Sequence, residues 1–156
     1  MEITQKELDE RVALLHRLKS LLEQQRSKFR EYLNVLEKQQ DSIAKEDPQA
    51  LIAHTELEQQ IVRNIANLQK VIVPMSRMYK SADKGVNSET EIKNLQKDLT
   101  DLQNKVLKQN EINRDLLRVH IDNIKAQIKS FKNPYKNANS VYAQPQPVAQ
   151  LVQVEA

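Results

Sequence analysis

The sequence predicts an all-α fold: an elongated antiparallel bundle or coiled coil of three long helices, followed by a flexible C-terminal tail. Two features of composition indicate helices, since the 156 residues include one Gly and are rich in Glu, Lys, Gln, Leu and Ile. The third observation is that aliphatic residues recur every three or four positions over long stretches, as in helices that share a seam. With 4% aromatic residues and no Trp, the predicted core is only as wide as such a seam.

The first predicted helix covers residues 3–46. Apolar residues recur through it at an interval of seven, at Leu8, Leu15, Leu22, Phe29, Leu36 and Ile43. Heptads sustained in this way predict a long helix with a coiled-coil seam. Polar residues weaken the seam at Lys19, Gln25, Arg26, Gln39 and Gln40. These gaps indicate either packing against more than one helix or loose packing.

A second helix is predicted for residues 48–79, directly after a break at Asp47. The residue before a proline is biased away from the helical region, so Asp47 is expected to end the first helix and cap the second. Pro48 then occupies the first helical position, where its missing N–H costs nothing. A break this short favours an antiparallel hairpin. Pro74 is expected to kink or end the second helix.

A third helix is predicted for residues 89–132, after a loop that holds the single Gly. Asn87 or Ser88 is the expected N-cap, and Glu91 completes a capping box with Ser88. Pro134 stops the helix. Residues 1–132 are thus predicted to form one helical domain. Residues 133–156, which contain Pro, Asn and Gln, are predicted to be a disordered tail.

Two amides interrupt the aliphatic spacing of the third helix, at Gln109 and Asn113. One interpretation is control of register, because a buried amide in a helical seam lowers stability but disfavours misaligned pairings. The other is that the stretch carries a family motif. The spacing N-x-x-N-x-x-L-L is formed here by Asn110, Asn113, Leu116 and Leu117.

With this motif late in the third helix, the chain resembles the FlgN family, the cytoplasmic export chaperones of flagellar type III secretion. A second match is the D-x-x-A-L segment that opens the second helix, at Asp47, Ala50 and Leu51. A third is a Tyr in the tail, at Tyr142, although the Gly that follows it in the family is absent here. The resemblance extends from about Leu15 to Tyr142.

The resemblance implies a chaperone and not an enzyme. Members of the family bind the C-terminal amphipathic segments of hook-associated (hook–filament junction) proteins in the cytoplasm and keep them from assembling early. They then deliver these proteins to the export gate. The tail Tyr of the family contributes to docking on the cytosolic domain of the export-gate membrane protein, which makes Tyr142 the first candidate here and Tyr135 the second. The alternative is that each is a solvated tail residue.

The third helix offers more aliphatic residues than one seam needs. A partner helix that lies in a groove contributes anchors at a spacing of three or four residues, and the third helix supplies matching positions. The candidate cargo-binding residues are Ile112, Leu116, Leu117, Ile121, Ile124 and Ile128. The alternative interpretation is that all of them pack internally.

Other chemistry has little support in the sequence. There is no Cys, and His16, His54 and His120 lie on different predicted helices without a ligand set, so no metal or cofactor is expected. No apolar run approaches the roughly 18 residues of a membrane span, and the N-terminus lacks the apolar middle of a signal peptide, so a cytoplasmic protein is expected. The lysines after Asp122 are interpreted as cations that interact favourably with the C-terminal end of the helix dipole, and not as a nucleic-acid-binding surface.

A second hypothesis comes from a different class of protein. Long heptad helices are also typical of a structural coiled-coil adaptor or scaffold that self-associates. A scaffold pairs fully with itself, whereas a chaperone forms a heterodimer with its cargo. When free, the chain is expected to be a monomer or a homodimer.

Overall fold

The computed structural model of the chain describes residues 4–82 and 89–132. They form α1 (Gln5–Ala44), α2 (Pro48–Ala82) and α3 (Glu89–Lys132), and these residues contain no strand. The all-α fold of three long helices is therefore confirmed. The predicted tail and the candidate caps Asn87 and Ser88 lie outside the described residues. Within the described ranges, no helix combines the length and the apolar character needed to cross a bilayer.

The second helix is longer than its sequence predicts. Pro74 lies inside α2, which continues to Ala82, so Pro74 does not end the helix. Proline removes one backbone hydrogen bond from a helix interior and strains the preceding turn. The helix nevertheless persists on both sides, with Ile72 buried before Pro74 and Tyr79 half-buried after it.

The turn between α1 and α2 confirms the predicted break. Asp47 Oδ1 accepts a hydrogen bond from the Ala50 N–H at 3.2 Å, which is the bond expected of an N-cap. On the other side, the Asp47 N–H donates to the Ser42 carbonyl at 2.9 Å and the Glu46 N–H donates to the Ile43 carbonyl at 3.0 Å. This pattern is a Schellman motif, whose left-handed position is usually Gly. Here it is Glu46, with φ of 52°.

The chain divides into two compact units, each built from parts of all three helices. Of the described residues, the first combines 4–32 with 60–82 and 89–105, and the second combines 33–59 with 106–132. In the first unit, α1 and α3 run parallel, since Lys19 pairs with Glu91 and Arg26 with Asp98. In the same unit α1 is tied to α2, since Gln25 contacts both Ile65 and Gln69. Its buried aliphatic and aromatic residues are Leu18, Leu22, Phe29, Ile61, Ile72, Ile92, Leu95 and Leu99.

Polar residues in the α1 seam contact two different helices in the first unit. Gln25 is buried and its Nε2 donates to the Ile65 carbonyl of α2 at 3.3 Å. Lys19 and Arg26 form ion pairs with α3, at 2.8 Å to Glu91 and 3.0 Å to Asp98. The gaps in the heptad pattern therefore mark packing against more than one helix.

Candidate partner-binding site

The predicted cargo residues belong to the second unit, and three of them lie in its interior. Leu117, Ile124 and Ile128 are buried in one cluster with Ile43 of α1 and Leu51 of α2. Ile124 is only 2% exposed. Leu116 and Ile121 are half-buried and pack against the same cluster. In this conformation the cluster is the core of the unit, so a role in contacting cargo remains a prediction.

The remaining candidate lies on the outer face of α3. Ile112 is 39% exposed, and Val119, seven residues further on, is 76% exposed. Positions seven residues apart share a helical face, so these two aliphatic residues lie on the same side of α3. Val119 was not among the predicted residues. The aliphatic spacing alone does not show whether a residue of α3 lies on the outer or the inner face, so it did not identify Val119.

Asn113 of the motif is an interior residue that ties α3 to α1. Its side chain is 2% exposed, and its Nδ2 donates to the Leu36 carbonyl at 2.8 Å. Its Oδ1 accepts from Gln109 Nε2 at 2.9 Å, and the same Nε2 lies 2.7 Å from Gln40 Oε1. The two amides that interrupt the aliphatic spacing thus form one network, which fits the interpretation of register control. Asn110 is half-buried beside them.

The first three turns of α2, residues 48–59, present an inner face to this unit in which polar and apolar residues are equally represented. Pro48, Leu51, Thr55 and Glu58 are buried at spacings of three or four residues, and Leu51 is the one large aliphatic residue among them. Full burial of one leucine contributes about 1.5–3 kcal/mol, whereas a satisfied hydrogen bond contributes about 1 kcal/mol. The α2 segment is therefore held less firmly than α3, which buries Leu117, Ile124 and Ile128.

Polar pairs connect this segment to α1. The Ser42 hydroxyl lies 3.0 Å from His54 Nδ1, and Gln39 Nε2 donates to the Glu58 carboxylate. Gln39 is completely buried, yet its Oε1 has no hydrogen-bond partner among the described residues. Gln39 is therefore the incompletely satisfied member of this buried polar pair.

The turn before this segment is fastened to α3 through Glu46. Its Oε2 lies 2.9 Å from His120 Nδ1 and accepts from Asn123 Nδ2 at 3.0 Å. The hydrogen bond with His120, and then the one from Asn123, hold the pKa of the Glu46 carboxyl below its ordinary value of 4.5. We refer to Glu46, His120 and Asn123 as the clasp.

The clasp makes the stability of the chain depend on pH in the acid range. Because folding lowers the pKa of Glu46, the stabilisation is complete above pH 4.5 and is lost as the pH falls through the folded-state pKa. We expect Glu46→Gln to lower the melting temperature at about pH 7 and to melt nearly with the wild type at a pH below the folded-state pKa of Glu46. Paired thermal unfolding curves at the two pH values measure this. Glu56→Gln, which changes an exposed carboxylate of α2, is the matched control.

The described residues contain no group of three or more His, Asp or Glu side chains arranged to hold a metal ion. His54 and His120 instead contact Ser42 and Glu46, and His16 is exposed. The candidate docking residues Tyr135 and Tyr142 lie outside the described residues.

Comparison with known proteins gives two matches. The family model described as FlgN protein matches residues 12–147. An uncharacterized protein of Treponema pallidum (strain Nichols) is 37% identical over 130 residues, which cover 83% of this chain and 82% of the relative. No solved structure gives a significant match.

Proposed function

The chain belongs to the FlgN family of flagellar chaperones, and from that premise we propose that it is a cytoplasmic export chaperone for hook-associated proteins. It binds their C-terminal amphipathic segments, prevents premature assembly and delivers them to the flagellar type III export gate. Docking on the cytosolic domain of the export-gate membrane protein is assigned to Tyr142, with Tyr135 second. This part of the proposal rests on the resemblance of the tail to that of the family.

The observation that supports cargo binding is that α3 supplies most of the aliphatic cluster of the second unit. α3 supplies Leu116, Leu117, Ile121, Ile124 and Ile128, whereas α1 and α2 supply one residue each. An amphipathic partner helix needs a continuous aliphatic surface with anchors at intervals of three or four residues. α3 is the element of this unit that offers such a surface, and Ile112 extends it on the exposed side.

The test is the light-scattering mass of the purified chain, alone and mixed with the C-terminal segment of each hook-associated protein from the same organism. We expect a species with the mass of one chain plus one segment. A segment of identical composition but scrambled order is the control, because it keeps the charge and removes the aliphatic face. If no segment changes the mass, the chaperone proposal fails.

The alternative function is a self-associating coiled-coil adaptor or scaffold. It draws on the aliphatic side chains that α3 leaves exposed, among them Leu107 and Val119. Isolated exposed aliphatic residues are common on monomeric proteins, so this observation is the weaker one. A stable homo-oligomer that ignores every cargo segment in the same experiment would favour the scaffold.

A further inference from the structure

We propose that the partner helix enters the second unit by taking the place of residues 48–59 of α2 against the aliphatic cluster of α3. The inference rests on the proposed function, because the partner is the amphipathic cargo segment. It explains how Leu117, Ile124 and Ile128 can serve as cargo contacts although they are buried in the free chain. Displacement of the α2 segment uncovers them, and the partner buries them again.

The α2 segment is a poor match for the surface that it covers. Its buried positions are Pro48, Leu51, Thr55 and Glu58, so two of the four are polar, while the opposing cluster is aliphatic. A partner helix with aliphatic side chains in the places of Leu51 and Thr55 would bury more apolar area on the same cluster. The exchange also returns the Glu58 carboxylate to water, which removes the cost of burying it.

The incompletely satisfied pair specifies one further property of the partner. Gln39 remains in the α1 surface beneath the partner, and its buried Oε1 lacks a donor among the described residues of the free chain. A side chain that donates a hydrogen bond, in the place of Glu58, would satisfy it. The partner that fits is therefore an amphipathic helix with aliphatic residues at positions i and i+4 and a polar donor at i+7.

The turn that precedes the segment combines an unfavourable backbone conformation with side-chain contacts that can be broken. Glu46 holds a left-handed backbone conformation that is unfavourable for a residue with a Cβ, and its carboxylate contacts with His120 and Asn123 fix the turn on α3. Opening the clasp removes the side-chain contacts that fix the turn on α3 and frees the start of the segment. Residues 48–59 then need only separate from the cluster and from the polar contacts with α1.

A reversible cross-link tests the displacement. The chain has no Cys, so Ser42→Cys with His54→Cys, two facing positions whose side chains are 3.0 Å apart, introduces a single thiol pair between α1 and the segment. We expect the oxidised full chain to bind the C-terminal cargo segment at least about tenfold more weakly than the reduced chain. Each single cysteine variant is the control: it loses the Ser42–His54 contact but cannot cross-link the two helices, so its affinity should not fall under the same oxidant.

If the two introduced thiols do not form a disulfide, a second variant still tests the displacement. Leu51→Ala weakens the hold of the segment without changing α3, so we expect about tenfold tighter cargo binding, because displacement becomes easier. The matched control is Ile61→Ala, a buried residue of α2 in the first unit, which should leave the affinity unchanged.

The outcomes separate the two proposals. Equal binding by the disulfide-linked and reduced chains, or weaker binding by Leu51→Ala, overturns the displacement while the chaperone function stands. If the wild-type chain itself binds no cargo segment, the proposed function fails and the displacement falls with it.

Discussion

Ile124→Asp is expected to unfold the second unit. Ile124 is 2% exposed and lies in the cluster formed by Ile43, Leu51, Leu117 and Ile128. The substitution removes a buried aliphatic side chain, which costs about 2–5 kcal/mol, and places an unpaired carboxylate in the same position at a cost of several kcal/mol more. The sum is comparable with the total stability of an ordinary domain, about 5–15 kcal/mol. Circular dichroism should show loss of helix and of a cooperative urea transition.

The matched control lies on the same helix. Val119 is 76% exposed, so Val119→Asp should change the free energy of unfolding by no more than about 0.5 kcal/mol. Ile124→Val is the variant that separates folding from binding, because it keeps the core and costs only about 0.5–1.5 kcal/mol. Full helicity of Ile124→Asp together with loss of cargo binding would contradict the interior position and would make Ile124 a surface contact.

The helices could be predicted from the sequence because the interactions that define them join residues close together in the chain. Heptad spacing in α1 and the Asp47–Pro48 break act through contacts and caps within a few residues, and both appear in the structure as expected. The sequence left open whether Pro74 kinks or ends the second helix, and α2 in fact continues past it to Ala82. The cost of a proline is local, whereas the burial that offsets it, at Ile72 and Tyr79, depends on the partner helices.

The candidate site could be predicted only in part. A spacing of three or four residues identifies Leu117, Ile124 and Ile128 as one face of a helix, but inward and outward faces obey the same spacing. Two polar residues of the site, Thr55 and Glu58, were not predicted, although their spacing in the sequence indicates their position. Thr55 lies four residues after Leu51, and Glu58 lies three residues after Thr55. The sequence therefore already placed two polar residues on the same face of α2 as Leu51. The clasp had no such signal, since Glu46 and His120 are distant in sequence.

Asn113→Asp should be the most informative single-atom change in the motif. Asn113 Nδ2 donates to the Leu36 carbonyl at 2.8 Å, and an ionised carboxylate at this position would set a second acceptor against that carbonyl in a buried site. We expect a loss of about 3–5 kcal/mol at neutral pH, the range measured when a buried charge is left uncompensated. Urea unfolding followed by circular dichroism measures it. Asn104→Asp, at an exposed position of α3, is the control and should be nearly neutral.

The pH dependence of this loss distinguishes its cause. Burial and the opposing carbonyl raise the pKa of the introduced carboxyl above that of an unfolded Asp, so the folded state binds the proton more readily. Stability should therefore recover as the pH falls from about 7 towards 5, because the introduced carboxyl, once protonated, again donates to the Leu36 carbonyl. Recovery would identify the amide of Asn113 as a donor required at this position of the α1–α3 pair, which is the physical content of register control. A loss that is constant with pH would mean instead that protonation does not restore the donor to the Leu36 carbonyl, and would contradict this account.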